Sequence, residues 1–106
     1  MDSQFNQMVR WDTRNVRSMV SMFLSAKSFN QPVLFDTSRV KDMRYMFQWA
    51  ESFNQVLDFE TSHNPLMYFM LDGSGLSKKN YCEFWRNSTL RKNSWDNEDA
   101  KPECLK

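Results

Sequence analysis

A chain of 106 residues carrying 14 basic and 13 acidic side chains amounts to one domain at most and is close to neutral. A net charge of +1 lacks the basic excess on which a dedicated nucleic-acid or acidic-membrane binder depends. No apolar run is long enough to span a bilayer.

No signal peptide is expected from the polar start Met1-Asp2-Ser3-Gln4, which opens in the middle of a repeat unit: either the chain is a fragment, or a leading part was removed or never existed. From Phe5 onward the chain repeats itself every 24 residues. Phe5-Asn6-Gln7 returns as Phe29-Asn30-Gln31 and Phe53-Asn54-Gln55, and Trp11-Asp12-Thr13 returns as Phe35-Asp36-Thr37 and Phe59-Glu60-Thr61. Half the positions of 5–28 are identical in 29–52, far above what composition alone produces.

Within each unit the apolar residues have the spacing of one helical face: Met19, Met22, Phe23 and Ala26, then Met43, Met46, Phe47 and Ala50, then Met67, Met70, Leu71 and Ser74. Asn64-Pro65 suits a helix start, because proline fits the first turn and the residue before it prefers a non-helical backbone. Helices are therefore expected near 17–24, 41–48 and 65–71, the last ended by Gly73 and Gly75. So short a helix is marginal alone and needs a neighbour to cover its face. Short apolar stretches, Met8-Val9, Pro32-Val33-Leu34 and Val56-Leu57, suit one strand per unit.

Past the repeats, Ser77 is a good N-cap for a helix over 77–90 with Tyr81, Phe84 and Trp85 on one face, placed to close the end of the stack. Residues 91–106, mixed in charge and poor in apolar groups, are expected to be largely disordered. Cys82 and Cys104 are read as free thiols, since a bridge requires the tail to fold back in an oxidising compartment.

The pattern from Trp11-Asp12-Thr13 through Val16, Met19, Met22, Phe23 and Ala26 to Phe29-Asn30-Gln31 resembles the BspA-type leucine-rich-repeat-like family, common in mycoplasma surface lipoproteins. The units are about one residue shorter than that family's usual repeat, and the third replaces valine by Asn64. The resemblance implies an α/β fold: a short leucine-rich-repeat-like solenoid of three 24-residue coils (5–28, 29–52 and 53–76, within 1–76), closed by the helix at 77–90. It also implies a surface-display or adhesin-type role and leaves the ligand unnamed.

Candidate chemistry is sparse. The methionine columns could be imagined as copper(I) ligands, but methionine beside phenylalanine at this spacing is how a core is filled. Asp12, Asp36 and Glu60 form an acidic column whose carboxylates are expected to accept from backbone N–H groups in turns, with no calcium loop around them. The Asn6, Asn30, Asn54 and Gln7, Gln31, Gln55 columns are expected to hydrogen-bond from unit to unit. His63 has no partner for catalysis and is read as a solvated loop residue; no enzyme activity, cofactor or metal is expected.

What remains is the outer face, where Arg17, Lys41, Arg44, Tyr45, Trp49 and Phe69 combine arginine with aromatics, the composition of protein-binding hot spots. Trp49 falls in register with Ser25 and Gly73, leaving room for its ring. The same residues could simply solvate the face. The expected role is non-enzymatic binding of a protein partner or structural display. Self-association through the uncapped first unit is the alternative, and weak nucleic-acid binding through an arginine ridge is a more remote one.

Overall fold

The structure, a computed structural model, describes residues 3–87 and Cys104. Successive units lie in register, joined by backbone hydrogen bonds. The N–H groups of Met19, Ser21, Phe23 and Ser25 donate to the carbonyl oxygens of Asp42, Arg44, Met46 and Gln48 at 2.7–3.0 Å. Those of Met43, Tyr45, Phe47 and Trp49 donate in the same way to Leu66, Tyr68, Met70 and Asp72 at 2.8–3.1 Å. Alternate N–H groups thus point to the next unit, and the residues between them close turns within their own unit.

Those turns replace the helices expected near 17–24, 41–48 and 65–71. Met22 donates to the Met19 carbonyl, Leu24 to Ser21 and Ala26 to Phe23, each spanning three residues where an α-helix spans four. Six residues here have positive φ: Ser21 and Ser25, Tyr45 and Trp49, Phe69 and Gly73. Each sits third in a hydrogen-bonded turn, the place where a type II turn requires that conformation. A left-handed residue at every fourth position forbids a right-handed helix.

The expected α/β leucine-rich-repeat-like solenoid is accordingly overturned. Among the described residues there is one helix, α1 (Lys78–Asn87), and no strand or sheet. Strand-like pairing stops at the isolated parallel bridges Ser18–Asp42 and Asp42–Leu66. The apolar stretches near residues 8, 33 and 56 form no strands. The physical reason is that apolar residues three and four apart share a face both in a helix and in tandem turns, so their spacing fixes what is buried and not the backbone that buries it.

Burial follows the columns. Phe23, Phe29, Phe47 and Phe53 are wholly buried, as are Met43, Met46 and Met67. The rings stack across units, Phe29 on Phe53 at 5.8 Å and Phe23 on Phe47 at 5.2 Å, and also within the packed layer, Phe47 on Phe53 at 4.3 Å. Three threonines are buried with them. Thr13 Oγ1 donates to the Asp36 carbonyl and Thr37 Oγ1 to the Glu60 carbonyl, both at 3.0 Å, so each hydroxyl satisfies the next unit's backbone.

The asparagine column works as the sequence suggests. Asn6 Oδ1 accepts from the Asn30 N–H at 2.8 Å, and Asn30 Oδ1 accepts from Asn54 N–H and Gln55 Nε2, both at 2.9 Å. Asn54 Oδ1 passes the pattern to the cap, accepting from Ser77 N–H at 2.9 Å and Asn80 Nδ2 at 3.0 Å. Ser77 then caps α1, its Oγ accepting from Asn80 N–H at 3.2 Å. Cys82, Phe84 and Trp85 are the buried face of α1.

Cys82 and Cys104 form a disulfide, with Cα atoms 6.0 Å apart, which corrects the free-thiol reading. Sequence separation carries no sign of a return path, and the chain does return to α1. The expected tail at 91–106 lies outside the described residues except for Cys104, and so does the end of the helix expected to reach residue 90.

Candidate protein-binding surface

The tandem turns decide which side chains face outward. Ser21, Tyr45 and Phe69 occupy one column of left-handed residues, and Ser25, Trp49 and Gly73 the other. Tyr45 stacks on Phe69 with ring centroids 5.7 Å apart and planes at 10°. Phe69 is 42% exposed and Trp49 53% exposed, so these rings present apolar area to solvent. The turns of Tyr45 and Trp49 are bonded to the units on both sides, and the turn of Phe69 to the second unit through the Tyr68 and Met70 carbonyls. The room foreseen for Trp49 is real: a methyl group on Gly73 would overlap the indole ring.

Arg44 is not a free cation. Its Nε donates to Asp42 Oδ1 at 2.9 Å and its Nη2 to Asp42 Oδ2 at 2.7 Å, a bidentate fork. The guanidinium hydrogen bonds hold the Asp42 carboxyl below the usual carboxylate range against a smaller opposing effect of burial, and the carboxylate raises Arg44 in return. A fixed Arg44 frames the aromatic patch.

Arg17 and Lys41 belong elsewhere, to a cleft of about 600 Å³ lined also by Ser38, Arg39, His63 and Asn64. The six candidates therefore divide into an aromatic patch with Arg44 and a cationic cleft. Sequence reasoning missed Ser38, Arg39, His63 and Asn64 as cleft residues. His63 is no free surface group, since its Nε2 lies 2.6 Å from the Val40 carbonyl and must donate to it. The signal available was register: Asn15, Arg39 and His63 share a column, and Arg39 Nη1 donates to Asn15 Oδ1 at 3.0 Å.

The acidic column is occupied locally. Asp12 Oδ1 accepts from Arg14 N–H at 3.2 Å, Asp36 Oδ1 from Ser38 N–H at 3.0 Å and Glu60 Oε1 from Ser62 N–H at 2.7 Å. Hydrogen bonds from Ser38 and Ser62 hold Asp36 and Glu60 below their ordinary carboxylate values. Among the described residues no group of three or more His, Cys, Asp or Glu side chains could hold a metal ion, and no helix is long and apolar enough to cross a membrane.

No curated protein and no solved structure matches the chain. A family model described as "Mycoplasma protein of unknown function, DUF285" matches residues 1–85, most of the sequence and all three units. The chain belongs to that family.

Proposed function

We propose that this chain is a non-enzymatic repeat module that binds another protein through Tyr45, Phe69 and Trp49, in a surface-display setting of the kind the BspA-type resemblance implies. The observation that carries the reading is the Tyr45–Phe69 stack, with Phe69 and Trp49 exposed, held on turns whose backbone is hydrogen-bonded from the second unit to the third. Rigid aromatics lose little entropy on binding, which is why they dominate protein interfaces. The test compares labelled wild-type chain with a Tyr45→Ala/Phe69→Ala variant for saturable binding to intact cells. Two such anchors are worth about 2 kcal/mol or more, so the double variant should bind at least roughly thirtyfold more weakly while Arg14→Ala binds normally. Equal binding by a folded double variant removes the aromatic patch from the function.

A second reading is favoured by the polarity of the backbone bonds. Carbonyls of units two and three accept from the unit before, whereas the matching Ser18, Val20, Met22 and Leu24 carbonyls accept from no other unit among the described residues. Met8 and Trp11 beside this edge are 39% and 50% exposed. Self-association through the first unit would cover both. Sedimentation over a hundredfold concentration range decides it, and a strict monomer throughout ends that reading.

A further inference from the structure

We propose that the cleft between Arg17, Arg39 and Lys41 is a binding site for a tetrahedral dianion, a phosphate-monoester group carried on a larger molecule. The cleft holds about 600 Å³, within the range of small-molecule pockets of about 300–1,000 Å³ and more than a bare ion fills. Its cations come from the repeat itself. Arg17 and Lys41 are register neighbours, joined through the Lys41 N–H and the Arg17 carbonyl at 2.7 Å, and Arg39 stands beside them in the second unit. Units joined by backbone hydrogen bonds stand about 4.8 Å apart, so the charges form a compact cluster.

No carboxylate lines this cleft, and among the described residues neither Arg17 nor Lys41 forms an ion pair. Asp36, reached past Ser38, already accepts from the Ser38 N–H and from its hydroxyl at 2.6 Å. Three permanent positive charges facing one space repel one another, and a dianion relieves that repulsion more fully than a monocarboxylate does. A nucleic-acid backbone carries one charge per phosphate and gains affinity from a track of cations, whereas this set is closed.

The floor is built as well. His63 is fixed by its hydrogen bond to the Val40 carbonyl. Asn64 replaces the valine of the first two units, and its Oδ1 is buried with no hydrogen-bond partner. An unpartnered amide in an otherwise valine column is costly, and Asn64 lines the cleft, where a bound oxyanion would give its NH₂ an acceptor. That NH₂ is a neutral donor suited to an oxyanion. The aromatic patch plays no part in this site, so failure of either proposal leaves the other standing.

The test is titration of the intact chain with inorganic phosphate, sulfate and acetate at matched ionic strength, followed by backbone amide NMR. Phosphate and sulfate should produce saturable shifts confined to residues around 17, 38–41 and 63–64, with acetate at least roughly tenfold weaker. Lys41→Gln and Arg39→Gln should each weaken binding about tenfold, and Lys27→Gln, outside the cleft, should leave it unchanged. Should Arg39→Gln disturb the fold by losing Asn15, Arg17→Gln replaces it, since that side chain makes no hydrogen bond among the described residues. O-phosphoserine, whose ester is a dianion, should bind more tightly than a monosulfated sugar, whose ester carries one charge, and the reverse order overturns the proposal. Equal, non-saturating shifts with all three anions overturn the proposal, as does an RNA oligomer that outcompetes the monoesters phosphate for phosphate.

Discussion

Trp49 fills the space that a side chain at Gly73 would need, one unit further along the same column. Both are left-handed, Trp49 at φ 60° and Gly73 at φ 69°. Gly73→Ala therefore meets two costs, backbone strain of about 1 kcal/mol and overlap with the indole. A loss of about 2–3 kcal/mol in urea unfolding is expected. In a Trp49→Ala background the overlap vanishes, and the same change should cost only about 1 kcal/mol. Equal costs in both backgrounds would remove the steric link.

The Asn30 side chain serves two donors of the next unit, Asn54 N–H and Gln55 Nε2. Because the site is solvent-exposed, water can replace part of what is lost, and Asn30→Ala should cost about 1 kcal/mol. Asn30→Asp keeps the acceptor and should cost less than the alanine variant by chemical denaturation. The reverse order would mean that the amide NH₂, and not the oxygen, matters here.

Thr37 is buried, and its hydroxyl donates to the Glu60 carbonyl. Thr37→Val preserves shape while leaving that carbonyl without the donor, so a loss of about 1–2 kcal/mol is expected in thermal or urea unfolding. An unchanged midpoint would show that another group takes over the carbonyl.

The disulfide joins residues 22 apart and ties Cys104 to α1. Closing a loop of this size stabilises a fold by about 3 kcal/mol in the chain-entropy account. Cys104→Ser, or reduction of the wild type, should lower stability by about 2–4 kcal/mol, and reduction should do nothing further to the variant.

Asp36, Asp42 and Glu60 all have folded-state pKa values below their ordinary 3.8, 3.8 and 4.5. A carboxylate of lowered pKa contributes stability that is fully present above its unfolded value and lost as pH falls through the folded one. Stability should therefore be level in this respect above about pH 5 and decline below about pH 4. Glu60→Gln should flatten the upper part of that decline, measured as unfolding midpoint against pH.

How much of this was legible in the sequence depends on which interaction a residue serves. The period, the buried phenylalanine and methionine columns and the asparagine ladder follow from identity at 24-residue spacing, because stacking places like on like. The backbone conformation does not follow from that spacing. Met19, Met22, Phe23 and Ala26 fit a helix as well as they fit tandem turns, and serine, tyrosine and tryptophan do not advertise left-handed φ as glycine does. Gly73, in register with Ser25 and Trp49, was the available hint. The outer face was half legible: Tyr45, Phe69 and Trp49 emerge together, whereas the grouping of Arg17 and Lys41 with Arg39, His63 and Asn64 depends on the turn that brings neighbouring columns around one cleft.

The hydrogen bonds that join the units constrain how such a gene can change length. An added or deleted block of 24 codons leaves each asparagine, threonine and inter-unit N–H facing an equivalent acceptor, while a block of 23 or 25 inside a unit shifts every later donor off its mate. Natural variation in length within this family should therefore come in whole repeats, so that the span of the array changes in discrete steps of one unit.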